Sequence, residues 1–268
     1  MNQYDKAKEL YNQGKSLRSI ADQLGVDRKK LSKKFKEDGI IIRDPYKNSI
    51  GKARRFKEVD ESVFKVIDTE EKAYWLGFLY ADGYVNHRQV ELSLKESDYE
   101  HIVKFKSFMH SEHKISYKKS TKSYRITICS AKIASDLARL GCVQCKSLIL
   151  KFPTEEQVPK HLIHHFMRGY FDGDGSVSIN LEKKIYIMSV LGTSDFLDKY
   201  EEILLNILKR DKPNKRSNND QALGIQYGGR LQVKKIYNFL YKDANIYLDR
   251  KYNKFAVLRQ GCEKSQDN

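Results

Sequence analysis

The sequence has no apolar run of about 18 residues, so it offers no membrane-spanning helix. Its opening, MNQYDKAKEL, lacks the apolar stretch of a secretory signal. Four cysteines in 268 residues do not make a disulfide framework. A reducing setting, cytoplasmic or organellar, is therefore expected, and secretion is not. Cys142 and Cys145 form a lone C-x-x-C with no second pair nearby, which leaves a structural zinc site short of ligands. There is no His-Glu-x-x-His, so His161, His164 and His165 read as surface or core histidines. Acid is the scarcer charge: 35 Asp+Glu stand against 50 Lys+Arg, for a formal charge of +15. That excess favours a polyanionic partner, nucleic acid before an anionic membrane surface. A basic protein with no such partner is the bland alternative. What is present suffices for a core, since 40% of residues are hydrophobic and 11% aromatic. The length fits one large domain, or two modest ones with a small appendage.

Residues 1–39 read as three short helices, the second about Leu17–Leu24 and the third about Arg28–Glu37. Ala21, Gly25 and Leu31 supply a small residue where two helices touch, a glycine at a sharp turn, and an apolar residue that packs back. That is the pattern of a helix-turn-helix. Asp27 can cap the third helix. Leu31 and Phe35 share its apolar face, and Arg28, Lys29, Lys30 and Lys33 crowd the rest, as on a recognition helix in a major groove. A solvated basic helix in a helical hairpin is the competing reading. Residues 40–68, with Pro45, Gly51 and the basic run 52–57, read as a linker that tracks along phosphates.

From about residue 70 the texture changes. Glu71–Ala81 has helical character, Tyr84–Leu94 that of a hairpin, Asp98–Met109 of a helix, His113–Cys129 of two strands, and Ala131–Leu140 of a helix. The order recurs with a helix over Pro159–Phe171, a hairpin over Ser176–Leu191, a helix over Asp195–Lys209, and strand signals over Asn218–Tyr227. Helices over Arg230–Tyr241 and Leu248–Arg259 close the chain. The two copies are offset by 92 residues, the spacing of Asp82 and Asp174. A repeat this long predicts two similar half-domains, 69–153 and 154–262, followed by a tail at 263–268.

Each first helix of a copy carries a mid-helix glycine, Gly77 or Gly169, and finishes on Asp-Gly, at Asp82-Gly83 or Asp174-Gly175. A mid-helix glycine costs roughly 1 kcal/mol against alanine, which is tolerable where another backbone comes close. Two such helices can pack through their glycines and bring Asp82 and Asp174 together at their C-terminal ends. A carboxylate there opposes the helix dipole, and two adjacent ones are worse unless a divalent cation sits between them. Hard carboxylate ligands point to Mg²⁺. Asp172-x-Asp174 also opens like a calcium loop, but Val177 stands where that loop needs glycine and Lys183 where it needs glutamate.

WLGFLYADG (75–83) and MRGYFDGDG (167–175) resemble the two signature motifs of the LAGLIDADG homing endonucleases. The resemblance covers roughly residues 70–260 and includes the order of both halves. It implies an α+β fold of two pseudo-symmetric αββαββα half-domains forming a DNA-binding β-saddle; the small all-α helix-turn-helix read from residues 1–39 would stand before it. It implies that the signature helices meet in a seam at Gly77 and Gly169. Asp82 and Asp174 would bind the metal, Mg²⁺ with Mn²⁺ as substitute, while Ala81 contributes no ligand. The earlier acid of the motif is Asp172 in the second copy but Tyr80 in the first, at a position that is usually structural in the family. Lys146 in GCVQCKSLILKFP and Lys251 in YKDANIYLDRKYNKF match the lysine found near the end of each half. By similarity they would polarise the attacking water or stabilise the charged transition state. Lys95, on LSLKESD, is a further candidate for orienting water, with a counterpart near Thr193.

The strands would supply DNA contacts. Asn86 and Arg88 lie on the first hairpin, and Lys114, Lys118, Lys119 and Arg125 on the next pair. Ser178, Asn180, Lys184 and Gln226 are the candidates in the second half. A solvated sheet face is the competing reading. The expectation is a monomeric, site-specific endonuclease that makes a metal-dependent double-strand break at a long, non-palindromic target, with the short 3′ overhangs that the resemblance implies. The alternative is a non-cleaving DNA-binding regulator, or an RNA-splicing maturase with intron RNA as partner. The chain opens on Met1 and ends SQDN, without the residues that intein splicing needs, so a freestanding or intron-encoded enzyme is expected.

Overall fold

The computed structural model describes residues 2–43, 58–144, 146, 149–214, 217–219 and 222–259. The chain divides into two compact units, residues 1–56 and 57–268.

In the first unit α1 (Gln3–Asn12), α2 (Leu17–Leu24) and α3 (Arg28–Glu37) enclose a small core that includes Leu10, Ile20, Leu31 and Phe35. Each helix begins on a side chain that accepts an orphaned main-chain N–H: Asn2, Ser16 and Asp27 respectively. Gly25 closes α2 at φ +64°, a left-handed conformation that glycine adopts without strain. Ala21 and Leu31 are buried on either side of that turn. Ile40 and Ile42 pack on the same core, and Arg43 donates to the Lys15 carbonyl at 3.0 Å.

The linker expected over 40–68 is shorter than that at both ends. Residues 40–43 belong to the first unit, and Val63, Phe64 and Ile67 are buried in the core of the second. The Asp60 N–H also donates to the Met109 carbonyl at 3.1 Å. Apolar side chains at both ends of the segment have a core to enter, and burial outweighs the basic composition that marked it as linker. Residues 44–57, which hold Pro45, Gly51 and the basic run, lie outside the described residues, as do Cys145 and the tail.

The second unit contains the repeat. The first copy is α4 (Glu70–Asp82), β1 (Gly83–Asn86), β2 (Gln89–Lys95), α5 (Tyr99–Phe108), β3 (Ser116–Lys118), β4 (Ser123–Cys129) and α6 (Ala131–Arg139). The second is α7 (Ile163–Asp174), β5 (Gly175–Asn180), β6 (Ile185–Gly192), α8 (Ser194–Leu208), β7 (Ser217–Asn219), β8 (Ala222–Gly228) and α9 (Arg230–Tyr241). Both read αββαββα, an α+β fold of two matching halves. The helix expected over 248–259 breaks at Phe255 into α10 (Asp249–Lys254) and α11 (Ala256–Arg259), and the one expected from Pro159 opens with a 3₁₀ turn over Lys160–Leu162.

Each copy folds its strands into a four-stranded antiparallel sheet, ordered β1-β2-β4-β3 and β5-β6-β8-β7. Alternation sets the faces. Val90, Leu92, Ile126 and Ile128 turn inward from the first sheet, and Val177, Met188, Val190 and Ile225 from the second.

The seam is α4 against α7. Every residue of α4 from Ala73 to Tyr80 is buried, as expected of a helix that is apolar all round. A Cβ on Gly77 would stand 2.0 Å from the Phe166 carbonyl oxygen, and a Cβ on Gly169 would stand 1.9 Å from that of Tyr74. Tyr74 and Phe166 occupy matching places in the two copies, so the contact is the same seen from either helix. Only glycine lets these backbones approach so closely.

Candidate functional site

Asp82 and Asp174 are the last residues of α4 and α7, and the seam carries those two ends together. Gly83 and Gly175 follow in extended conformation, not the left-handed cap that a helix-ending glycine suggests. They are glycine for lack of room: a Cβ on Gly83 would fall 2.6 Å from the Leu79 carbonyl oxygen, and one on Gly175 would fall 2.1 Å from the Phe171 ring. The chain therefore leaves each helix directly into the first strand of a sheet. A Cβ placed on Gly173 would lie 3.5 Å from an Asp82 carboxylate oxygen, so Asp82 leans over the last turn of α7.

Asp174 feels the charge of Asp82. Burial, followed by the charge of Asp82, lifts the Asp174 pKa to about 6. Burial also raises that of Asp82, with Lys251, Lys146 and Arg250 pulling it back down. Asp82 is exposed to solvent yet surrounded by protein at longer range, and the wider surroundings set its pKa. Among the described residues no group of three or more His, Cys, Asp and Glu side chains comes together as a metal cage. Two carboxylates at a dipole-disfavoured position still fit a hard cation that keeps waters and takes its remaining ligands from a substrate phosphate. Asp82 and Asp174 are the residues that could hold it.

Lys146 and Lys251 lie at the same helix ends. Lys146 Nζ donates to the carbonyls of Leu79 and Gly83, in and just beyond the last turn of α4. Lys251 Nζ donates to those of Phe171 at 2.8 Å and Gly173 at 3.0 Å, in the last turn of α7. Each helix terminus thus has its own internal cation, which relieves the dipole before any metal arrives. Desolvation lowers both pKa values, that of Lys251 to about 8. Lys95 is exposed at the end of β2, three residues beyond Leu92, the partner of Gly83. That places its backbone roughly 10 Å along the strand from the helix end, so the structure does not group it with the other four.

The earlier motif position, Asp172 and Tyr80, is buried in both copies, and beside it stands Arg168, which motif reading misses. Asp172 is fully buried and accepts from Tyr241 Oη at 2.6 Å, the Leu248 N–H at 2.7 Å and Tyr74 Oη at 2.8 Å. Tyr80, its counterpart, is buried as well, and donates to the Leu140 carbonyl. Both hold the end of their own half against the seam, which is a structural role. Arg168 is fully buried and donates to Glu70 at 2.7 Å across the seam, and to the carbonyls of Leu240 and Ile246 at 2.9 Å each. His165 is buried beside it, its Nδ1 2.8 Å from Arg168 Nη1. The available signal was an arginine beside the mid-helix glycine of the seam helix, where a charge demands a buried partner.

The outward faces of the sheets differ. In the first, Arg125 Nε lies 3.1 Å from Glu91 Oε1 as an ion pair, not an aligned hydrogen bond. Lys118 and Lys95 flank Ser123 on the same face. The outward side chains of β5 and β6 are uncharged, including Ser178 and half-exposed Leu191, and exposed Gln226 stands on β8 beside them. Asn86 and Asn180, two of the DNA-contact candidates, also build their turns. The Asn86 side-chain oxygen accepts from the N–H of Arg88 and of Gln89, and that of Asn180 from the N–H of Lys183. Lys184 is in the β5–β6 turn at φ +51°, not on a strand face. Arg88, Lys114 and Lys119 are exposed in turns or connections. In the first unit Arg18, Arg28, Lys29, Lys33 and Lys36 line one cleft between α2 and α3, while Lys30 faces the other side of α3.

No protein-family model matches the sequence, and no curated protein gives a significant match. Among solved structures the chain is similar to the meganuclease I-SmaMI bound to uncleaveable DNA, at 13% identity and TM-score 0.48 over 73% of this chain and 91% of that one. It is similar to the LAGLIDADG meganuclease I-AabMI bound to uncleaved DNA, at 10% identity and TM-score 0.46 over 70% and 91%. The I-LtrWI LAGLIDADG homing endonuclease bound to target DNA gives 9% identity and TM-score 0.45 over 74% and 93%.

Proposed function

We propose that the chain is a site-specific DNA endonuclease that cuts both strands of a non-palindromic duplex in a metal-dependent reaction. The observation that carries this reading is the pair of carboxylates, Asp82 and Asp174, at the touching ends of two glycine-packed helices, each helix end held by a lysine. Mg²⁺ held by Asp82 and Asp174 would neutralise the scissile phosphate and make a bound water more acidic. The chain's own groups do the rest. The seam fixes the two aspartates, so they need not reorganise during reaction. Lys146 and Lys251 hold the last-turn carbonyls in place and offset the negative helix ends. The Lys251 ammonium, with its pKa near 8, releases a proton from Nζ more readily than an ordinary lysine. Two such acids, one from each copy, match one cut in each strand. The sheets offer outward faces of different chemistry, which suits unlike half-sites. The basic cleft of the first unit would extend the contact along the phosphate backbone.

The test is cleavage of a duplex selected from a random library for binding, with Mg²⁺ and with EDTA. Cutting of both strands with Mg²⁺ alone is expected. Asp82→Asn and Asp174→Asn should each abolish the double-strand break while binding stays within about threefold, since the acids contribute to chemistry and not to base contacts. Binding without any cut in Mg²⁺ or Mn²⁺ would leave the non-cleaving reading in its place.

A further inference from the structure

α10 is pinned in two directions. Asp249 accepts from Lys104 Nζ at 2.9 Å, and Arg250 Nε lies 2.9 Å from both carboxylate oxygens of Asp98. Both of those partners are on or next to α5, in the first half. Lys251 and Lys254 turn the other way, to the carbonyls of Phe171, Gly173 and Val177 in the second half. The helix therefore bridges the halves beside the paired aspartates. The Asp98 side chain is 4% exposed, whereas that of Arg250 is 45% exposed. A buried carboxylate that grips one nitrogen of a half-exposed guanidinium fixes the direction of the fork. The two outer nitrogens take no hydrogen-bond acceptor among the described residues and remain available as donors. The charge of Arg250 also reaches Asp82, lowering that carboxyl's pKa after Lys251 and Lys146.

In the sequence, the position before the lysine of the other half carries no charge. The residue before Lys146 is Cys145, where the residue before Lys251 is Arg250. At the start of α8, the counterpart of α5, Thr193 donates to the Leu150 carbonyl in place of a salt bridge.

We propose that Asp98 aims the outer guanidinium nitrogens of Arg250 at a DNA phosphate beside Asp82, a contact that the other half of the site lacks, so that the two strands are cut at unequal rates. Arg250 is then a phosphate ligand and Asp98 its positioning residue. This rests on the endonuclease reading.

The experiment follows both strands of one selected duplex, end-labelled separately, for the wild type, Arg250→Ala, Arg250→Lys and Asp98→Asn, with thermal melting alongside. Arg250→Ala should slow one strand about tenfold or more and the other about twofold or less, so that nicked duplex accumulates. Asp98→Asn should bias the same strand by less, and Arg250→Lys should restore part of the rate. Equal slowing of both strands, or slowing that follows the melting temperature, overturns the proposal and makes α10 a structural strut. If the wild type binds but cuts neither strand, the endonuclease reading fails by itself, and ethylation interference on the bound duplex decides the present one. Interference that disappears at a phosphate of one half-site in Arg250→Ala supports it, and an unchanged pattern overturns it.

Discussion

At the scale of single residues, Asp82 and Asp174 set function against stability. Asp174 titrates at about 6 in the folded chain against 3.8 for an ordinary aspartate. The folded state therefore holds an extra proton between those values, and stability falls as pH rises through that window. Above it the ionised pair is a standing cost on the order of 1 kcal/mol after solvent screening. Asp82→Asn removes one of the causes of the shift, so the metal-free variant should melt a few degrees higher than the wild type at pH 7, about 2–4 °C per kcal/mol at this size. Its melting temperature should also vary less between pH 4 and pH 6. Mg²⁺ should raise the melting temperature of the wild type and leave that of an Asp82→Asn, Asp174→Asn double variant unmoved. A single variant less stable than the wild type at pH 7 contradicts this account of the pair.

At the scale of elements, the α4–α7 seam is backbone against backbone. Gly77→Ala or Gly169→Ala would push a methyl to within about 2 Å of a carbonyl oxygen, and the helices would have to part. A loss of about 3 kcal/mol in urea unfolding is expected for either, at the upper end of overpacking costs; a loss below about 1 kcal/mol would mean that the helices can part cheaply. These elements were legible in sequence because their causes are local. The strands alternate, the signature helices are uniformly apolar, and each glycine sits where a second helix must come close. Asp82 and Asp174 were legible for the same reason, as acids in a repeated string. Two ion pairs of the site were not, because they join partners far apart in the chain. Glu70 and Arg168 are 98 residues apart, and Asp98 and Arg250 are 152 apart. No periodicity names such pairs. The turn-building role of Asn86 and Asn180 was not read either: nearby main-chain N–H groups claim the side-chain oxygen of each.

At the scale of the whole molecule, the first unit has its own core and caps, so its removal should leave residues 58–259 folded. A chain lacking residues 1–43 should still cut, but bind more weakly and with a flatter dependence on salt, by roughly one unit of slope for each phosphate that is no longer neutralised. Unchanged salt dependence would mean that α2 and α3 do not touch the duplex. The seam also has a consequence for ancestry and for splitting the chain. Its glycine contact is symmetric and would serve two identical halves equally well. The Glu70–Arg168 bridge is not symmetric, because the repeat puts Leu162 in the place of Glu70 and Leu76 in that of Arg168. Two first halves brought together would leave each Glu70 facing leucine, and two second halves would bury each Arg168 without its carboxylate. The two halves are thus complementary and not interchangeable at this bridge, and fragments separated between residues 153 and 154 should recognise each other in preference to their own kind.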